Sequence, residues 1–234
     1  MANGGDKKCV ICGRQIGYGN YFLDWAGNTV CGHHSEEEMK MCVSCGRFCG
    51  PRSIELVKGK WLCPVCQKHI ITSEQCAKMA HWIKEVYKRC PIGHVEMVKL
   101  KSMTPEQMMM ASGSRNVMGL AQGVGRDYTV YFYRHMSIVA FTDILAHELL
   151  HIWQYDHNIH PDSLHCEGFC NLGSWFILNA IGNPESKARM KWLENSRDPI
   201  YGDGFRLMKA FYDRGGWNMA ISELKRNSDI YNRV

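Results

Sequence analysis

Long apolar runs are missing from this 234-residue chain. No stretch approaches the roughly 20 consecutive apolar residues of a membrane helix, so no membrane partner is expected. The opening residues, Met-Ala-Asn-Gly-Gly-Asp-Lys-Lys, hold no apolar segment of the kind that leads a secreted chain. The expected location is therefore the cytoplasm, where the twelve cysteines stay reduced and serve as metal ligands rather than disulfides. Clustered basic charge is missing too. The formal net charge is +5, with Lys and Arg scattered along the chain, and the three zinc centres argued below bring it to roughly +4. A nucleic-acid partner calls for a basic stripe, so none is expected. What is present is 45% hydrophobic residues, enough for a buried core in one or two domains.

The cysteines are not spread evenly. Cys9-Val-Ile-Cys-Gly-Arg14 returns 33 positions later as Cys42-Val-Ser-Cys-Gly-Arg47. Each copy is followed, after 18 or 17 residues, by a second pair of ligand type: Cys31 with His34, then Cys63 with Cys66. These are structural zinc spacings. They assign one zinc to Cys9, Cys12, Cys31 and His34 and another to Cys42, Cys45, Cys63 and Cys66. His33 competes with His34, and Cys49 and His69 are spare. A closed site of four protein ligands has no open position, so its role is folding or interaction. Short hairpins are expected over 18–30 and 53–62, turning at Gly27-Asn28 and Lys58-Gly59.

The second concentration of chemistry is His147-Glu-Leu-Leu-His151. Positions i and i+4 share one helix face, so His147 and His151 can hold one zinc. Glu148, about 100° round the helix, can reach a water on the metal as general base. This is the H-E-x-x-H pattern of zinc peptidases. Leu145, Leu149 and Ile152 supply an apolar stripe, and Ser137 or Thr142 can cap the helix start. The continuation H-x-x-G-x-x-H is absent. A third ligand must come from His157, His160, Asp162, His165, Cys166, Glu167 or Cys170. Glu167 is preferred over His165: it opens a helical stretch over 168–181, Gly168 lets that helix approach the first closely, and Asn171 stands one turn on, where it can hold a ligand histidine.

Elsewhere the pattern predicts a helix over 72–90, strands over 95–100 and 128–133, and a Met- and Gly-rich segment over 104–125 that is mobile or loosely strand-like around 117–121. Either 117–121 or 128–133 can pair with a substrate backbone. A polar helix over 183–197 precedes Tyr201-Gly-Asp-Gly-Phe-Arg206, a turn that sets Tyr201 or Asp203 in place. Tyr201 is the candidate donor to a substrate oxyanion. A helix over 205–214 stops at Gly215-Gly216, and the last runs over 217–226.

Three blocks carry a resemblance: Cys42-Val-Ser-Cys45 with Trp61-Leu-Cys-Pro-Val-Cys66, Ile144 to Trp153 with Glu167-Gly-Phe-Cys170, and Tyr201 to Arg206. In these the chain resembles the ubiquitin-activated LIM-domain zinc metallopeptidases of plants that limit organ growth. The resemblance implies an α+β chain: a LIM-like tandem zinc-knuckle module over 1–70, then a zincin-like (gluzincin-type) peptidase domain over 71–234. It implies His147, His151 and Glu167 on zinc with Glu148 as base. The chain departs in beginning nearly at Cys9, without ubiquitin-interacting motifs, and in having seven residues between His34 and Cys42 where a LIM domain has two. The expectation is a zinc endopeptidase acting on protein substrates, with one catalytic and two structural zinc ions and a zinc module that grips substrate or partner. The alternative is a non-enzymatic adaptor on a zincin-like scaffold.

Overall fold

A computed structural model describes residues 7–17, 19–68, 70–114 and 117–231. Tyr18, at the start of the first expected hairpin, and the spare His69 lie outside the described residues. Among those described, the fold is mixed α/β, with two two-stranded sheets and one three-stranded sheet. No helix among them is long and apolar enough to cross a membrane. The chain divides into two compact units, Met1–Ile71 with His135–Ala140, and Thr72–Arg134 with Phe141–Val234.

The first unit shows the sequence repeat as a structural repeat. Strand β1 (Tyr21–Leu23) pairs with β2 (Thr29–Cys31), and β3 (Ile54–Val57) pairs with β4 (Lys60–Leu62), followed by the short helix α1 (Pro64–Gln67). In each copy the residue after the first cysteine donates its N–H to the later strand: Val10 to Thr29 O at 2.8 Å and Val43 to Trp61 O at 2.9 Å. Gly13 and Gly46 each close a turn onto the first cysteine's carbonyl at 2.8 Å. Their φ values are +72° and +70°, a region glycine enters without steric cost, which is why both copies carry Gly after the second cysteine. The two copies are tied together. The Trp25 indole N–H donates to Cys45 O at 2.6 Å, and Phe48 N donates to the Asp24 carboxylate at 2.9 Å.

The second unit begins with α2 (Ser73–Lys88), where Thr72 and Gln75 form a reciprocal capping box. Then come β5 (Val98–Met103), α3 (Pro105–Ser112), β6 (Gly119–Val124) and β7 (Asp127–Tyr133). The sheet order is β5-β7-β6, with β5 parallel and β6 antiparallel to β7. Helices α4 (Ile138–Asp156), α5 (Ser163–Ile181), α6 (Pro184–Glu194) and α7 (Tyr201–Tyr231) complete the chain. Ser137 caps α4, accepting from Ala140 N at 3.0 Å, while Thr142 is buried within the helix. Phe141, Leu145, Leu149, Leu150 and Phe169 are fully buried, and at about 1.5–3 kcal/mol each for such side chains they hold α4 and α5 in the core.

Several expectations shift. The strand expected over 95–100 begins at Val98, because its bounds follow six paired residues of β7, Tyr128 to Tyr133. Part of the segment expected to be loose, 104–125, is helix α3: Thr104 and Gln107 make a capping box, Pro105 opens the first turn, and Gly113 ends it. Helix α5 starts at Ser163, capped by Asp162, so His165 and Glu167 both stand on it. Tyr201 to Arg206 is the first turns of α7 rather than a turn, because Asp198 accepts from Ile200 N at 2.9 Å and Tyr201 N at 2.8 Å. The stop expected at Gly215-Gly216 is present: both residues leave helical geometry, with φ of −157° and +65°, and divide Tyr201–Tyr231 into two helices. Gly168 approaches α7 and not α4: a Cβ there would lie 2.2 Å from Gly204 O.

Candidate metal centres

In the first unit the ligand atoms of Cys9, Cys12, Cys31 and His34, and those of Cys42, Cys45, Cys63 and Cys66, lie within 4.8 Å of one another in each group. Either group can hold a metal ion. Cys12 and Cys31 sulfurs are 3.9 Å apart and Cys45 and Cys63 sulfurs 3.7 Å. A tetrahedron on a 2.3 Å zinc–sulfur bond has edges of about 3.8 Å. His34 belongs to the first group, its Nδ1 3.4 Å from Glu38, whereas His33 is exposed. Cys9 is pulled down to about 6: burial raises it, but backbone N–H groups of the knuckle turn outweigh burial. Cys42 is pulled down by hydrogen bonds from Cys45 and its neighbours. Cys49 packs into the second cluster without belonging to its ligand group.

The second unit brings together the residues of the H-E-x-x-H helix and α5. His147 Nε2 and His151 Nε2 are 3.1 Å apart, and Glu167 Oε2 lies 3.1 Å from the first and 3.6 Å from the second. Ligands on bonds of about 2.0–2.1 Å in a tetrahedron stand about 3.3 Å apart. Glu167 Oε2 is buried and accepts no hydrogen bond, an orphan lone pair that a cation would satisfy. Burial raises the Glu167 carboxyl, but the two imidazoles hold it well below the usual range.

The protonation of His147 follows from its neighbours. Asn171 Nδ2 donates to Tyr201 O at 2.9 Å, which fixes the amide so that Oδ1 faces His147 Nδ1 at 3.0 Å. Nδ1 therefore carries a proton, which leaves Nε2 as the nitrogen that would bind a metal. Glu148 is buried, and its Oε2 accepts from Ala121 N of β6 at 2.8 Å. Gly119 lets that strand pass: a Cβ there would lie 2.2 Å from Ile144 and 2.9 Å from Glu148 Oε1. A cleft of about 760 Å³ runs beside β6 and β7, lined by Ala121, Gly123, Tyr131 and Tyr155. The Tyr201 phenol is pushed up to about 12 by burial and by Glu167 and Glu148.

By distance alone, Cys170 also groups with the two histidines. Its chemistry favours Glu167 instead. Cys170 is fully buried, burial pushes its thiol well up, and its sulfur already accepts from Gln154 Nε2 at 3.1 Å. His165 does not join the centre. Its Nδ1 is 2.8 Å from Asp162 and its Nε2 3.5 Å from Glu223. Asp203 pairs with Arg206 instead.

Sequence reasoning passed over Gly119, Ala121 and Gln154. The first two lie in the stretch expected to be loosely strand-like around 117–121, where no pattern signalled their approach to Glu148, and Gln154 offered no signal beyond falling one turn after His151. No family model, curated protein or solved structure matches the chain.

Proposed function

We propose that the chain is a zinc-dependent endopeptidase whose catalytic centre is His147, His151 and Glu167 with Glu148 as base. The observation that carries this is the convergence of two imidazole nitrogens and one orphan carboxylate oxygen within 3.6 Å of one another. A buried Glu148 lies on the same helix, held by the backbone of an edge strand. The resemblance to the plant LIM-domain metallopeptidases supports the same reading and the zincin-like description of the second unit. Zinc at the two cysteine-rich groups would be structural, since each offers four protein ligands and no open position.

Zinc at the histidine centre would supply Lewis acidity to a substrate carbonyl and a water. The chain's own groups do the rest. Glu148, steadied by the Ala121 N–H on its Oε2, takes the proton from the attacking water and later gives it to the leaving amine. The Tyr201 phenol donates to the oxyanion that forms. The free edge of β6 pairs with the substrate backbone and delivers its carbonyl beside Glu148.

Metal removal tests the reading. Stripping the purified protein with a chelator is expected to abolish cleavage of an unfolded protein substrate, and one equivalent of zinc beyond the structural pair is expected to restore it. Cleavage that persists without metal would remove the proposal.

A further inference from the structure

The second nitrogen of His151 has a partner no pattern pointed to. Cys166 Sγ lies 3.6 Å from His151 Nδ1, within reach for a hydrogen bond to sulfur. Cys166 immediately precedes Glu167 on α5, so one helical turn supplies both the third candidate ligand and this contact. The contact repeats what Asn171 does for His147. On a helix, i and i+4 share a face, so Glu167 with Asn171 forms one stripe and Cys166 with Cys170 forms the next. The second stripe is itself supported. Cys170 stands one turn after Cys166, and buried Gln154, three residues after His151, donates to Cys170 Sγ at 3.1 Å.

The direction of the His151 contact follows from proton counting. A neutral imidazole carries one N–H. If Nε2 gives its lone pair to a metal, Nδ1 must carry the hydrogen, and Cys166 sulfur must accept it. Metal-bound histidines usually donate this hydrogen to a carboxylate, a carbonyl or water, and losing such a partner typically weakens metal binding about 10–100-fold.

We infer that Cys166 is the positioning residue of the zinc centre for His151, accepting the Nδ1–H through its sulfur and so fixing both tautomer and ring orientation. This rests on the reading of His147, His151 and Glu167 as a zinc site. Cys166 does not bind the metal. It decides which nitrogen of His151 faces it.

The test uses the zinc-loaded full chain and a chromophoric chelator that reports zinc release. Cys166→Ala is expected to weaken one of three zinc ions about 10–100-fold and leave the other two unchanged. Cys166→Ser, which keeps an acceptor at the position, is expected to stay within several-fold of the parent. Nitrogen-resolved NMR of the imidazoles supplies a readout that a packing role would not move. The His151 Nδ1–H is expected to be present and slow to exchange in the parent and in Cys166→Ser, and fast to exchange in Cys166→Ala. The inference is overturned if Cys166→Ala releases all three ions as the parent does with the Nδ1–H still protected. It is also overturned if Ser and Ala weaken binding equally. A parent that binds only two zinc ions would instead sink the underlying zinc-site reading, and this inference with it.

Discussion

Glu167 and His165 stand two positions apart on α5 and face different neighbours. Glu167 turns its orphan oxygen to two imidazoles, and His165 is held between Asp162 and Glu223. Substitution separates their roles. Glu167→Ala is expected to leave two zinc ions per chain by elemental analysis where the parent holds three, whereas His165→Ala is expected to keep all three. Zinc lost on His165→Ala and retained on Glu167→Ala would exchange the two assignments. At this scale much of the centre was legible. The spacing of His147 and His151 places both on one helix face, and the position of Asn171 one turn after Glu167 anticipates its contact with His147. The helical stretch expected from residue 168 begins earlier, because Asp162 caps α5 and puts His165 on the same helix as Glu167. Cys166 stood among the candidate ligands, but no spacing rule reveals that its sulfur meets the far nitrogen of His151.

Helix crossings decide where these side chains stand. Gly168 and Gly204 let α5 and α7 touch backbone to backbone: a Cβ at Gly204 would lie 2.3 Å from Leu164 O and 3.2 Å from Gly168 Cα. Neither partner is a flexible side chain, so the added methyl has nowhere to go. Gly204→Ala is expected to cost about 1–3 kcal/mol, as overpacking usually does, and to lower the thermal midpoint of the second unit. The same change at Gly59, where a Cβ meets nothing within 4 Å but φ is +82°, strains only a hairpin turn in the first unit. An unchanged midpoint for Gly204→Ala would mean the crossing relaxes freely. The sequence signalled the glycines but not their partner, because Gly168 was read toward α4 while the glycine of α5 that meets α4 is Gly173, whose Cβ would lie 2.3 Å from the Leu150 side chain. Helix α3 was legible and overlooked. Thr104-Pro-Glu-Gln107 carries both a capping box and a first-turn proline, outweighed by the Met and Gly content around it. The bounds of β5 were not legible, since a parallel strand takes its limits from a partner far away in sequence.

Across the described residues, two kinds of candidate metal site fall in two units. In one, a duplicated motif gathers eight ligands into two closed groups, and its repeat was readable because each half repeats the same turn, the same glycine and the same strand contact. In the other, three ligand atoms converge beside a buried carboxylate on the adjoining position of the same helix. Four candidate ligands per group in the first unit and three in the second are the basis for proposing a folding role for the first and hydrolysis for the second. The most direct measurement is a proteome-wide count of new protein N-termini in cells expressing the parent chain and Glu148→Gln at equal level. Glu148 is proposed to move protons and not to bind zinc, so the variant is expected to keep three zinc ions and its fold while losing the new N-termini. General acid–base groups contribute about 10²–10⁴ in rate. An identical set of new N-termini in both, or none above background in the parent, would contradict the account.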